Sequence, residues 1–246
     1  GVDERPAVFH HTVLYRRLFP VVDDLLISLP SLDAAHLDRL TGGLGLLHQK
    51  EGLIEQALEA DVPRICLLTP LLTELHGTLE PFVRFAKKSP RLFWMPLRYE
   101  STPILPRPWT RPDAQAFAEE MADLMDKHPD RARGIFLATP FCAVRPTELG
   151  ARVFHGRTRD CGPFVALNVN ARGRMQACFD VCELTETRNL EEIRKSPEIL
   201  SCASTEALPA ECLLCAYLAR CAGGCRKPYG LVQHGGRNID YLAGYL

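Results

Sequence analysis

Six cysteines in two groups carry the chemistry of this sequence. Cys161 and Cys178 frame Gly173 in the pattern C-x11-G-x4-C, and after 33 residues Cys212, Cys215, Cys221 and Cys225 follow as C-x2-C-x5-C-x3-C. Thiolate sulfur is a soft ligand that suits zinc and iron–sulfur clusters, and two cysteines three apart reach one metal centre from a single tight turn. Three uses are open: a disulfide framework, a structural zinc site and iron–sulfur ligation. A framework of disulfides has little support, because no secretory signal precedes the cysteines and a chain of 246 residues does not need staples. A C-x2-C pair by itself suits many zinc modules.

Taken together, the two groups resemble the SPASM domain, the cluster-binding extension at the C-terminus of many radical S-adenosylmethionine enzymes. That resemblance, specific over residues 161–230, implies two auxiliary [4Fe–4S] clusters and a peptide or protein substrate. It implies that Cys161, Cys178 and Cys225 serve the first cluster and Cys212, Cys215 and Cys221 the second. Gly223 and Gly224, just before Cys225, also match a common form of the motif.

Two departures from the family pattern bear on function. The closing cysteine of the second set is expected fifteen to twenty residues after Cys225, and Leu242 stands near that place. The second cluster then has an open iron, a different ligand such as His234, or is missing. The C-x3-C-x2-C motif that holds the catalytic cluster and S-adenosylmethionine is not in the sequence: Cys178 and Cys182 have its first spacing, but position 185 is Thr185. This chain alone is therefore expected not to start radical chemistry, and to meet S-adenosylmethionine only with a missing N-terminal half.

The elements that must position these cysteines read as α/β. Apolar runs DDLLISLP, PRICLLTP (63–70), RLFWMPLRYE (91–100) and GIFLATPF are expected strands. Helices are expected over about 50–60, with Leu53, Ile54, Ala57 and Leu58 on one face, and over about 72–88, with Pro81 bending or splitting it. A third, over 113–128, is opened by Asp113 and carries Phe117, Met121, Leu124 and Met125 on one side. SLDAAHLDRLTGGLG has turn signals, and Gly42, Gly43 and Gly45 belong to a loop rather than a phosphate cradle. Strands alternating with helices predict a mostly parallel sheet with right-handed crossovers.

This order is similar to the last part of a radical S-adenosylmethionine partial barrel. The resemblance makes residues 1–150 half a barrel and 151–246 the SPASM-like domain, and puts Ser28 where a cofactor-ribose contact is found, with a structural serine as the alternative. The open sheet edge needs cover from the missing half, a partner chain, self-association, or AVFHHTV folded back as an edge strand. FVALNVN and RMQACF around Ala171-Arg172-Gly173 predict a β-hairpin with positive φ at Gly173, bringing Cys161 and Cys178 to neighbouring strand ends. NLEEIRKSP and AECLLCAYLARC read as helical, with the cysteines at the ends of the latter.

Of the remaining cysteines, Cys66 reads as core. Cys142 and Cys182 are candidates for a fourth ligand to the first cluster. His155, six residues before Cys161, reads as a solvated loop histidine or an extra ligand, and Tyr217, Asp180 and Asp240 as proton-transfer candidates or local hydrogen-bonding residues.

Composition sets outer bounds. The chain is 46% hydrophobic and 24% charged with a net charge of −1, so no basic excess points to nucleic acid or an anionic membrane. No apolar run reaches the ~18 residues needed to span a bilayer. Ten cysteines without a signal peptide point to a reducing, cytoplasmic setting. The chain opens on Gly1 rather than methionine, which reads as a processed chain or a fragment. The expected function is the auxiliary-cluster part of a radical S-adenosylmethionine peptide-modifying enzyme. The alternatives are a catalytically silent peptide- or partner-binding protein of the same descent, and a zinc-stabilised module.

Overall fold

A computed structural model describes residues 18–43, 45–99, 109–156, 168–169, 175–176, 189, 191–192, 195, 208, 210–224, 231–234, 237–240 and 242. Its centre is a parallel sheet of β1 (Asp24–Ser28), β2 (Arg64–Leu71) and β3 (Leu92–Arg98), in that order across the sheet. Asp24 stands opposite Arg64, and Ile65 opposite Leu92. β2 is the middle strand and nearly continuously buried, as a parallel strand covered on both faces must be. Inside the sheet the hydroxyl of Thr69 donates to the Leu29 carbonyl at 2.9 Å and accepts from Trp94 Nε1 at 3.1 Å, which satisfies three buried polar groups at once.

The expected fourth strand is much shorter than its apolar run. Phe136 bridges Leu97 and Ile135 bridges Phe154, both in parallel, and there the ladder stops. The cause is local. Gly134 takes φ of 100°, Leu137 takes φ of 68° and Pro140 follows, so the backbone leaves the extended region on both sides of Ile135 and Phe136. That pair still carries the sheet outward, with Phe136 N donating to Pro96 O at 2.8 Å and Ile135 N to Val153 O at 2.8 Å.

The crossover helices differ from expectation in three places. SLDAAHLDRL contains helix α1 (Ala34–Thr41), because Asp33 caps it by accepting from His36 N at 2.6 Å and Gly42, at φ of 67°, closes it. Helix α2 (Leu46–Glu59) starts four residues before its expected beginning. The expected 72–88 helix is split rather than bent: a 3-10 turn at Thr73–Leu75 precedes α3 (Glu80–Ala86), and Pro81 sits in the first turn of α3, where its missing N–H costs nothing. Helix α4 (Arg111–Lys127) buries Phe117, Met121 and Leu124 as expected, with Met125 partly buried against the same core. Its cap is Thr110 rather than Asp113. Thr110 Oγ1 accepts from Asp113 N, and the Asp113 carboxylate answers at Thr110 N, 2.6 Å away.

Glu120 of α4 and Trp109 just before it tie neighbouring segments to the helix. Glu120 accepts from Gly77 N and Leu79 N, each at 2.8 Å, and so fixes the entry to α3. Glu120→Ala is expected to lower stability by about 1–2 kcal/mol through two orphaned loop donors, measured by urea unfolding. An unchanged midpoint would mean that water replaces the carboxylate fully. Trp109, just before α4, donates from Nε1 to Leu71 O at 2.6 Å and stacks on Phe117.

Helix α5 (Thr147–Val153) runs through position 150, and Phe154 then rejoins the sheet. Beyond it the described segments are short. Strands β4 (Asn168–Val169) and β5 (Met175–Gln176) pair antiparallel, as do β6 (Leu231–His234) and β7 (Arg237–Asp240). Gly173 and its turn, AVFHHTV, and the apolar positions of NLEEIRKSP lie outside the described residues. Among the described residues no helix is long and apolar enough to cross a membrane.

Candidate functional site

The segment 210–224 folds as two single turns with a break between them. Helix α6 (Ala210–Leu213) carries Cys212, and Cys215 N donates to Cys212 O at 3.1 Å, so the C-x2-C pair occupies one tight turn. Cys215 then accepts at its own carbonyl from Leu218 N, which starts α7 (Leu218–Cys221). Cys221 is the last residue of α7. Ala222, Gly223 and Gly224 follow at φ of 48°, 79° and 78°, three left-handed residues in succession, which is why glycine recurs here.

This segment is seated on the end of the α/β layer. Phe141 N, in the 3-10 turn Phe141–Ala143, donates to Cys221 Sγ at 3.5 Å, and Arg220 Nη2 donates to Ala151 O at 2.8 Å. The Arg220 guanidinium lies 5.5 Å from the Phe141 ring centre, and Tyr217 meets the same ring edge-on at 6.0 Å. The backbones approach too closely for any side chain between them. A Cβ at Gly156 would strike the Arg220 carbonyl, and one at Gly150 the Phe141 carbonyl.

Between the seat and the cysteine turns lies a cavity of about 310 Å³, whose wall includes Cys142, Cys212, Cys215 and Cys221, with Glu211, Arg145 and Tyr217 beside them. Cys221 is 8% exposed, and burial pushes its thiol up to about 11 although the N–H groups of Phe141 and Gly223 pull the other way. Cys215 is exposed, with Tyr217 N donating to its sulfur at 3.4 Å. Arg145 is held by Gln115 of α4, whose amide accepts from Arg145 N at 2.8 Å and donates to Arg145 O at 2.9 Å. Among the described residues no three His, Cys, Asp or Glu side chains already stand close enough to hold a metal ion.

The structure brings Cys212, Cys215 and Cys221 to one cavity and adds Cys142, which the sequence alone assigned as a candidate for the other set. Cys161, Cys178, Cys225 and Cys182 lie outside the described residues, as do Cys202 and Asp180. Leu242, near the expected closing cysteine, is buried core at 1% exposure. His234 ends β6 opposite Arg237, and Asp240 ends β7 opposite Leu231. His155 is half-buried just after the Phe154 bridge: its ring packs on Phe136 at 4.0 Å, and Nε2 lies 3.2 Å from Arg133 O. Cys66 is buried in β2, where burial raises its thiol pKa.

Ser28 is exposed at the C-terminal end of β1, and its carbonyl accepts from Lys50 Nζ at 2.6 Å; burial lowers the pKa of that ammonium. Ser28 and the Pro140–Cys142 turn both follow parallel segments, so they share one end of the sheet. Three strand steps of about 4.8 Å separate them, and Ser28 is not part of the cysteine cavity wall. Sequence reasoning missed Arg145 and Gln115, whose link spans 30 residues, and Arg98, which is 1% exposed at the end of β3 and donates to Ala138 O at 3.1 Å. A charged residue ending an apolar strand was the available signal for Arg98.

Solved structures are similar to this chain in fold. Streptococcus suis SuiB bound to S-adenosylmethionine is similar over 89% of this chain and 53% of its own, with a TM-score of 0.64 and 15% identity. Native anSMEcpe with bound AdoMet and Kp18Cys peptide is similar over 94% of this chain and 67% of its own, at a TM-score of 0.60 and 16% identity. The fold is theirs. This chain spans about half the length of the SuiB chain. No family model matches the sequence, and no curated protein matches it.

Proposed function

We propose that this chain is the auxiliary-cluster-bearing part of a radical S-adenosylmethionine enzyme with a SPASM-type C-terminal domain, acting on a peptide or protein. One observation carries the reading: cysteines spaced for metal in the sequence line a single cavity, and the same fold occurs in proteins solved with S-adenosylmethionine, one of them with a peptide. The donor set fits an iron–sulfur cluster. Cys142, Cys212, Cys215 and Cys221 line one cavity, and soft thiolate is the ligand that such a cluster takes.

When bound, a four-iron cluster supplies one-electron chemistry. The rest is the work of this chain. Cys212, Cys215 and Cys221 present thiolates, the N–H groups of Phe141 and Gly223 point at Cys221 sulfur and tune its donor strength, and Phe141, Tyr217 and Leu218 wall the site. Cys161, Cys178 and Cys225, with Cys182, are the proposed ligands of the other cluster. Ser28 is the proposed ribose contact, at the strand end where α/β enzymes bind ligands. The C-x3-C-x2-C motif comes from an N-terminal half or a partner chain, which also covers the outer edge of β1.

The test is anaerobic reconstitution of the chain with iron and sulfide. A brown protein with the broad visible absorption of iron–sulfur charge transfer, and no 5′-deoxyadenosine from S-adenosylmethionine under reducing conditions, is the expected result. Stoichiometric zinc with no iron would overturn it in favour of a structural zinc module.

A further inference from the structure

Cys142 has no place in the SPASM-type cysteine pattern, yet its side chain stands on the same cavity as Cys212, Cys215 and Cys221. The sequence supplies that trio with no closing cysteine, and the residue near the expected place, Leu242, is turned into the core at 1% exposure. We propose that Cys142 supplies the fourth thiolate to the Cys212–Cys215–Cys221 centre, so that the α/β layer itself closes the site; this rests on the function proposed above.

Cys142 is the middle residue of the turn Phe141–Ala143, and the residue before it gives its N–H to Cys221 Sγ. A residue adjacent to that anchor is held within reach of the same cavity. The turn is also fixed from behind. Ala143 N donates to Pro140 O at 3.0 Å, Gly150 abuts the Phe141 carbonyl, and Gln115 clamps Arg145 two residues beyond Ala143.

Of the other polar groups on the wall, Glu211, Tyr217 and Thr147 offer hard oxygen and Arg145 is a cation, while iron in a sulfide cluster favours soft thiolate. Ligation replaces S–H by S–Fe at each cysteine and releases one proton per thiol, with no change of oxidation state. The four thiols lie on two segments that are 70 residues apart in the chain (142 to 212), so the centre would tie the sheet to the cysteine turns.

The test compares bound iron and sulfide after anaerobic reconstitution of Cys142→Ala, Cys142→Ser, Cys215→Ala, Cys178→Ala and the paired variants. Cys142→Ala is expected to lose as much iron as Cys215→Ala, and Cys142→Ala/Cys215→Ala to lose no more than either. Cys142→Ala/Cys178→Ala is expected to lose more than each alone, because the two serve different centres. Wild-type iron in Cys142→Ala, or losses that add with Cys215→Ala but not with Cys178→Ala, would overturn the assignment. So would loss of iron in Glu211→Ala or Tyr217→Phe with Cys142→Ala unaffected. If metal-free Cys142→Ala departs from the wild-type circular dichroism, the electron paramagnetic resonance of reduced Cys142→Ser decides: a shifted signal supports ligation and an unchanged one refutes it. No iron–sulfide uptake by the unaltered chain would sink the proposed function itself, whereas uptake with Cys142 indifferent sinks this assignment alone.

Discussion

Cys221→Ala, reconstituted without oxygen, is expected to bind roughly half the iron of the unaltered chain, the share of one four-iron cluster of two. Its unfolding is expected to change far more in the loaded protein than in the metal-free one. Cys221 is the most buried of the three spaced cysteines in the cavity, and its sulfur receives the Phe141 N–H. In the metal-free chain alanine removes only a small buried thiol, at a cost of about 1 kcal/mol. In the loaded chain it removes a ligand whose binding free energy is also folding free energy. Thermal unfolding of both states settles the point. An equal shift in the two would show that Cys221 is a packing residue and nothing more.

Gly156→Ala is expected to cost about 3 kcal/mol and to reduce iron uptake as well, although the residue ligates nothing. The added Cβ is driven into the Arg220 carbonyl, with Cys221 Cα next in line, so backbone opposes backbone and no rotamer change relieves the contact. Either the 210–224 segment lifts or the end of α5 shifts. Both outcomes move Cys221 away from Phe141. Urea unfolding together with iron content checks this; normal stability and full iron would mean that the segment is not seated on the α/β layer as described.

Much of the fold was legible. The three apolar runs became β1, β2 and β3 within two residues, and the face Phe117, Met121, Leu124 of α4 points inward. What failed did so for local reasons. Helix α1 was hidden because Gly42, Gly43 and Gly45 dominate the reading of its segment, although Asp33 is a sound cap. The run GIFLATPF has strand composition, but composition does not report that Gly134 and Leu137 take positive φ. At the site, spacing marked Cys212, Cys215, Cys221 and Cys225 as a metal-binding run, and the family resemblance implied the grouping of the first three. Their neighbour Cys142 was not legible as such, because spacing rules describe one turn and this meeting depends on how a distant segment docks.

The seat of the cysteine segment also sets an order of events. Its contacts join Phe141 to Cys221 and Arg220 to Ala151, across 80 and 69 residues, while the sheet is joined across much shorter spans, Ile65 to Leu92 among them. Closing a longer loop adds little free energy, about 0.6 kcal/mol for each doubling, so the intervening chain tolerates insertions. Distant contacts nevertheless form after near ones and rest on surfaces that the near ones create. The sheet is therefore expected to assemble first as its own cooperative unit, with the cysteine turns closing onto it last and opening first, which hydrogen exchange would check. On the function proposed above, a chain that lost its clusters would open those turns more readily while the strands stay paired, and it could be loaded again without refolding from the beginning.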